Sequence, residues 1–255
     1  MDRVVSEHGE QFLRNELGRY FDLKEESIGP PKNYLCGKMS RVVLDNGLTA
    51  WSFSSSQYVQ TAVKNVNESL AKQDAKLPAR ANTPLSSNYC PEINVSGELQ
   101  PAEAAYYQSL IGILRWIVEL GSVDICCEVS MMSLHLYLPH EGHSKELFHI
   151  FAYLRKYHNY EMVFNPSNPV VDERQFEEKD WTASEFGSHT EEYLPENIPM
   201  LRGFGFVMRA YVEDDHAGDS ITRRSRTGFL AYLNMAPVYW MSKKQTSVDT
   251  SSFES

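Results

Sequence analysis

Four carboxylates fall within the seven residues 213–219 of the stretch YVEDDHAGD: Glu213, Asp214, Asp215 and Asp219. A cluster this dense suits four kinds of chemistry: a polymerase carboxylate pair, a nuclease metal site, a calcium loop or an acidic turn. The calcium loop fails at once, because the alternating ligands and terminal Glu of an EF-hand are missing. If MRAYVE is a strand, alternation puts Glu213 and Asp215 on one face and Asp214 on the other. Two acids at one strand end can offer oxygen ligands to a single Mg2+, whereas two-metal phosphoryl chemistry demands more. Spacing alone favours a strand that ends in an acidic turn.

The most basic part of the chain follows directly. Arg223, Arg224, Arg226, Lys243 and Lys244 are candidate phosphate contacts, against the plainer reading of charged strand edges that resist aggregation. Other site chemistries find little support. In HEGH, His140 and His143 are three apart, not the four of the helical zinc-protease motif. Cys36, Cys90, Cys126 and Cys127 show no C-x-x-C spacing, so they read as reduced thiols of an intracellular protein. No phosphate-cradling glycine loop is present. Core or surface positions therefore suit these histidines and cysteines better than a metal site.

Composition narrows the remaining classes. Of 255 residues, 42% are hydrophobic and 23% charged, a globular mixture for one large domain or two modest ones. Against 34 acidic side chains stand 24 basic ones, and the net charge of −10 argues against nucleic-acid binding through overall charge. A local basic face stays open. The opening MDRVVSEHGE has no apolar run of signal-peptide type. The best apolar stretch, 110–120, is interrupted by Arg115 and Glu119, so no membrane partner is expected.

The elements that must position these residues can be read from periodicity. Leu13, Leu17, Tyr20 and Phe21 fall at helical spacing, and Pro30-Pro31 breaks that helix. RVVLDNGLTAWSFS reads as a β-hairpin around Asp45-Asn46-Gly47. Val59, Val63, Val66 and Leu70 share the face of a second helix. A proline-rich connector spans 73–101. In AAYYQSLIGILRWIVELG the polar stripe is narrow, which predicts a helix packed on most sides. VDICCEVSMMSLHLYL and SKELFHIFAYLRKYH read as two more helices, giving a bundle over about 102–164. An acidic, proline-bearing connector covers 165–205 and reads as solvated. Three strands, GFVMRAYVE, TGFLAYLN and PVYWMSKK, close the chain as an antiparallel meander, with HAGDS and NMAP in the turns.

These blocks resemble a known family. Residues 211–219, Thr227-Gly228-Phe229 and Pro237 to Gln245 (PVYWMSKKQ) are similar to the opening of the ribonuclease H domain of copia-type retrotransposon polyproteins. That family shows Tyr-x-Asp-Ala-Asp-(Trp/His)-Ala-Gly-Asp, then Ser/Thr-Gly-(Phe/Tyr), then Pro-(Ile/Val)-x-Trp-x-Ser-Lys-Lys-Gln. Upstream, Gly112, Leu114, Trp116, Asp124 and Ile125 match the family's Tyr-x-x-x-(Ile/Val)-Gly-x-Leu-x-Tyr segment and its following Asp-Ile. Ser122 and Val123 replace the usual Arg-Pro. YLCGKM and FSSSQYV resemble reverse transcriptase segments that follow its catalytic strand.

The resemblance implies an α+β chain in several parts. Residues 1–72 correspond to the end of the reverse transcriptase palm and thumb, 102–164 to a helical thumb or connection bundle, and 206–255 to a truncated ribonuclease H-like meander, with connectors at 73–101 and 165–205. It implies magnesium, an RNA–DNA hybrid and the rest of the polyprotein as partners, in a cytoplasmic particle or the nucleus. It also implies that catalysis is incomplete. No Tyr-x-Asp-Asp is present; in YVEDD an extra residue separates Tyr from the Asp pair. The family's first ribonuclease H acid falls on Glu213, a longer carboxylate than the usual Asp, and its second lies just past Ser255. The expectation is a polyprotein segment inactive by itself, the alternative a non-enzymatic nucleic-acid-binding or interaction module. A meander cut this way should expose an apolar face near Phe229 and Tyr239.

Overall fold

A computed structural model describes residues 11–12, 14–22, 24, 30, 32–170, 205–215 and 217–248. The architecture is α+β: two antiparallel sheets with helices between them. Among the described residues no helix is long and apolar enough to cross a membrane.

The first sheet has the order β1-β2-β3-β4, built from β1 (Asn33–Tyr34), β2 (Gly37–Val43), β3 (Thr49–Ser54) and β4 (Met162–Phe164). The expected hairpin joins β2 to β3, with Val43 opposite Thr49. Its turn works because Gly47 takes φ +80° and Asn46 Oδ1 accepts the Leu48 amide at 3.1 Å. β4 pairs with β3 from more than a hundred residues away, setting Phe164 opposite Trp51. Sequence reading gave this short segment no strand.

Four helices follow from the apolar spacing: α1 (Ser56–Ala71), α2 (Pro101–Glu119), α3 (Cys126–Met132) and α4 (Glu141–Lys156). Val59, Val63, Val66 and Leu70 of α1 are buried against Leu110, Ile111, Leu114 and Ile117 of α2 and Leu147, Ile150, Phe151 and Leu154 of α4 in one core cluster. Pro101 opens α2 at the first helical position, and Glu103 accepts the Gln100 amide at 3.0 Å.

Four expectations change. The single helix expected from Val123 onward is broken into the seven-residue α3 flanked by 3-10 turns (Val123–Ile125 and Ser133–His135). α4 begins at Glu141, so HEGH forms its first turn. α2 buries one face only, leaving Gln108, Ser109, Arg115 and Trp116 open to solvent. At the N-terminus, residues 11–12 and 14–18 are helical, yet Phe12, Leu17, Tyr20 and Phe21 are exposed, because no described element packs on them; Leu13 lies outside the described residues.

The proline-rich stretch 73–100 forms no α-helix or long strand, but it is packed. Leu77, Ala81 and Pro91 are buried. Its backbone polar groups turn to the outer face of α4: Glu146 accepts from the Ser86 amide and hydroxyl, both at 2.9 Å, and Arg155 donates to the Pro78 carbonyl at 2.7 Å.

The second sheet is the expected meander: β5 (Met208–Asp215), β6 (Arg226–Leu233) and β7 (Ala236–Lys244), in the order β5-β6-β7. Asp215 stands opposite Arg226, and Arg226 opposite Lys244. One face leans on the bundle. There Trp240 Nε1–H donates to the Val118 carbonyl at 3.1 Å, and the Ser130 hydroxyl donates to the Ser242 carbonyl at 2.6 Å. On the other face Tyr239 is exposed, Val212 is exposed and Phe229 is half-buried. The bulk of the acidic connector, 171–204, lies outside the described residues.

Candidate functional site

The four carboxylates of YVEDDHAGD have four different surroundings. Glu213 sits on β5 opposite Gly228, exposed, its carboxylate bonded to no other described residue. Asp215 shares its face, as alternation predicts, but its Oδ1 accepts the Arg226 amide across the ladder. Its carboxylate also folds over Gly218, where any Cβ would run into Oδ2. Asp214, on the opposite face, accepts from Gln245 Nε2 at 3.2 Å. Asp219 closes the turn: it accepts the Thr222 amide at 2.6 Å and hydroxyl at 2.8 Å, and it pairs with the Lys244 ammonium.

The Asp219–Lys244 pair is largely sheltered, with side chains 12% and 17% exposed. Burial pushes the Asp219 carboxyl upward, but Lys244 and the two Thr222 donors outweigh it and hold the group down at about 2. Asp219 is therefore a fixed anion that anchors the β5–β6 connection. Three of the four acids are spent on structure, and Glu213 is the free one.

The basic candidates do not gather on one surface. Arg226 and Lys244 lie on the bundle side of the sheet, Arg226 donating to Ser130 Oγ at 2.7 Å. Lys243, one residue from Lys244, points to the opposite face and is exposed. Arg223 and Arg224 are exposed in the β5–β6 connection, Arg223 with φ +57°. A cavity of about 260 Å³ at the sheet–bundle junction has Asp215, Asp219, Arg224, Arg226 and Lys244 on one wall and His135 on the other.

His135 was not a sequence candidate. Its ring stacks on His143 with centroids 4.2 Å apart. Burial, then the His143 neighbour, lowers its pKa to about 4, while Glu92 and Asp219 pull the other way and Lys244 adds to the lowering. His143 is core: its Nδ1 accepts the His140 amide at 3.0 Å, and its Nε2–H donates to the Pro91 carbonyl at 3.0 Å. Both His143 nitrogens are used, and His140 Nδ1 is bonded to the Ser96 carbonyl at 2.6 Å. The readable signal was the three-residue spacing, which is that of a helix cap and its third residue. Glu92 completes the junction by accepting the Ser220 amide at 2.8 Å.

Magnesium needs a test against this geometry. Among the described residues no three His, Cys, Asp or Glu side chains converge on a point that could hold a metal ion. Glu213 and Asp215 are two residues apart, roughly 7 Å along a strand, and Asp215 is already bonded. These residues do not form a site for two cations about 3.5–4 Å apart.

The site and fold thus define a carboxylate-bearing β-meander docked on a helical bundle, in a chain whose motif blocks resemble retrotransposon Pol. Comparison with known proteins agrees. The chain is 24% identical over 243 residues to the retrovirus-related Pol polyprotein from transposon TNT 1-94 of Nicotiana tabacum, covering 95% of this chain and 15% of that protein. It is 22% identical over 206 residues to the retrovirus-related Pol polyprotein from transposon RE1 of Arabidopsis thaliana, covering 81% of this chain and 11% of that protein. Both relatives are consistent with a copia-type Pol segment. No protein-family profile matches the chain, and no solved structure matches it.

Proposed function

We propose that this chain is the segment of a copia-type Pol polyprotein that joins the end of the reverse transcriptase to the start of ribonuclease H, and that it is not catalytically competent by itself. One observation carries the reading. The three ribonuclease H-like motif blocks fall on the three strands β5, β6 and β7 of one meander, and Glu213, which the resemblance aligns with the family's first acid, stands free on β5. A lone carboxylate cannot fix two cations for in-line displacement, so the rest of the chemistry must come from elsewhere in a polyprotein.

The measurement is magnesium-dependent cleavage of the RNA strand in an RNA–DNA hybrid. The expected result is no cleavage above a protein-free control. Robust turnover that Glu213→Ala abolishes would overturn the incompetence and make β5 a working site.

A further inference from the structure

One asparagine in this sequence is followed by glycine: Asn46, with Gly47, at the tip of the β2–β3 hairpin. The side-chain amide carbon of an asparagine, Cγ, can close a five-membered ring with the nitrogen of the next residue. A side chain on that next residue hinders the closure, and Gly47 has none. The place where its Cβ would stand has no atom within 4 Å, and residues 45–49 are exposed, so water and hydroxide reach the Gly47 amide.

The folded turn both prepares and restrains Asn46. Its Oδ1 accepts the Leu48 amide at 3.1 Å, which bends the side chain back past Gly47 and draws electron density from Cγ. Against this, Nδ2 donates to Ser167 Oγ at 2.8 Å, and the Gly47 amide donates to the Leu44 carbonyl at 2.8 Å. Ser167 is itself anchored, its amide donating to Asn165 Oδ1 at 2.9 Å. The neighbouring Pro166 carbonyl accepts from Nδ2 of Asn234, in the β6–β7 turn, at 2.9 Å. Residues 165–167 therefore join the first sheet to the second, and Asn46 is one of the ties of that joint.

We propose that Asn46 is the fastest site of spontaneous deamidation in this protein and that Ser167 restrains it. Hydroxide removes the Gly47 amide proton, and the nitrogen attacks Asn46 Cγ. The N–Cγ bond forms, the Cγ–Nδ2 bond breaks, and Nδ2 takes a proton from water and leaves as ammonia. Water then opens the five-membered imide. Opening at Cγ leaves an ordinary aspartate at position 46. Opening at the backbone carbonyl leaves an isoaspartate, whose main chain runs through the former side chain and is one carbon longer. Either product adds a negative charge beside Asp45 and removes the Nδ2 donor to Ser167. The longer chain also displaces the hairpin closure, in which the Leu44 amide donates to the Leu48 carbonyl at 2.8 Å. This inference does not depend on the polyprotein reading, since it uses only the turn and its ties.

The test is peptide mapping by mass spectrometry of the full chain, kept folded at mildly alkaline pH over a time series. The expected result is conversion of Asn46 before any other asparagine, faster as pH rises, with isoaspartate in the same peptide. Asn88 is the internal control, exposed and at φ +60° but followed by Tyr89. Ser167→Ala should raise the Asn46 rate about two- to tenfold, the factor that one ordinary hydrogen bond controls. Ser167→Thr, which keeps a hydroxyl, should hold the original rate, and neither variant should change Asn88. In urea, where no tie remains, Asn46 should convert faster still. An Asn46 that outlasts Asn88 overturns the proposal. A rate unmoved by Ser167→Ala, or equal in the folded chain and in urea, overturns the restraint by Ser167.

Discussion

The bundle and the meander are built on opposite terms. In α1, α2 and α4 the apolar stripes close on each other, and Leu114, Ile117, Leu147, Ile150 and Phe151 have no solvent contact at all. In β5, β6 and β7 the one buried strand residue is Ala231. The meander is held by its ladder, by the Asp219–Lys244 corner, and by leaning on α2 and α3 through Trp240, Ser130 and Arg226. The three motif blocks of the meander therefore lie where the chain is least able to stand alone, whereas the upstream block is part of the core, with Leu114 and Ile125 fully buried.

The largest test of that contrast is in the bundle. Phe151→Ala leaves a cavity among fully buried neighbours and should cost about 3–5 kcal/mol in urea unfolding. A loss below about 1 kcal/mol would mean that the bundle is not the stabilising half.

The junction between the halves should be acid-sensitive. His135 has its pKa lowered from 6.5 to about 4, so the unfolded chain binds its proton first and stability falls as pH drops from about 6.5 towards 4. Asp219, lowered from 3.8 to about 2, gives stability that is full above pH 4 and lost as pH falls towards 2. The upper window should span at most about 3 kcal/mol and the lower at most about 2 kcal/mol. His143, also lowered by burial, titrates in the same sense as His135. His135→Gln should flatten the upper window and Asp219→Asn the lower one, read from unfolding free energy against pH. A smaller effect is expected at the turn: Gly218→Ala should displace the Asp215 carboxylate from the Arg226 amide and cost about 1–2 kcal/mol.

Much of this was legible because it is local. Asp45-Asn46-Gly47 announced its hairpin, the four-residue spacing of Val59 and Val63 announced α1, and alternation placed Glu213 and Asp215 on one face. What stayed hidden depends on partners remote in sequence. β4 is only three residues long and becomes a strand because β3 is waiting for it. Leu77 and Ala81 are buried because α4 offers its polar face to their loop, which a count of prolines cannot reveal. The acidic cluster was legible in composition but not in role. Lys244 lies 25 residues beyond Asp219 and reaches it only because β6 and β7 fold back, which turns a candidate ligand into an anchored corner.

The finest comparison uses one substitution in both halves. Val66 in α1 is 2% exposed and Val212 in β5 is 59% exposed. Val→Ala removes the same two methyl groups at each site, so chemistry is constant and only the surroundings differ. At Val66 the loss should be about 2 kcal/mol, transfer plus cavity. At Val212 it should stay within about 0.5 kcal/mol in dilute solution, because the side chain is already in water. The difference is then a reading of burial alone. Equal costs in dilute solution would show that something covers β5 in the single chain, and the contrast between a stabilising bundle and an open meander would fall with it.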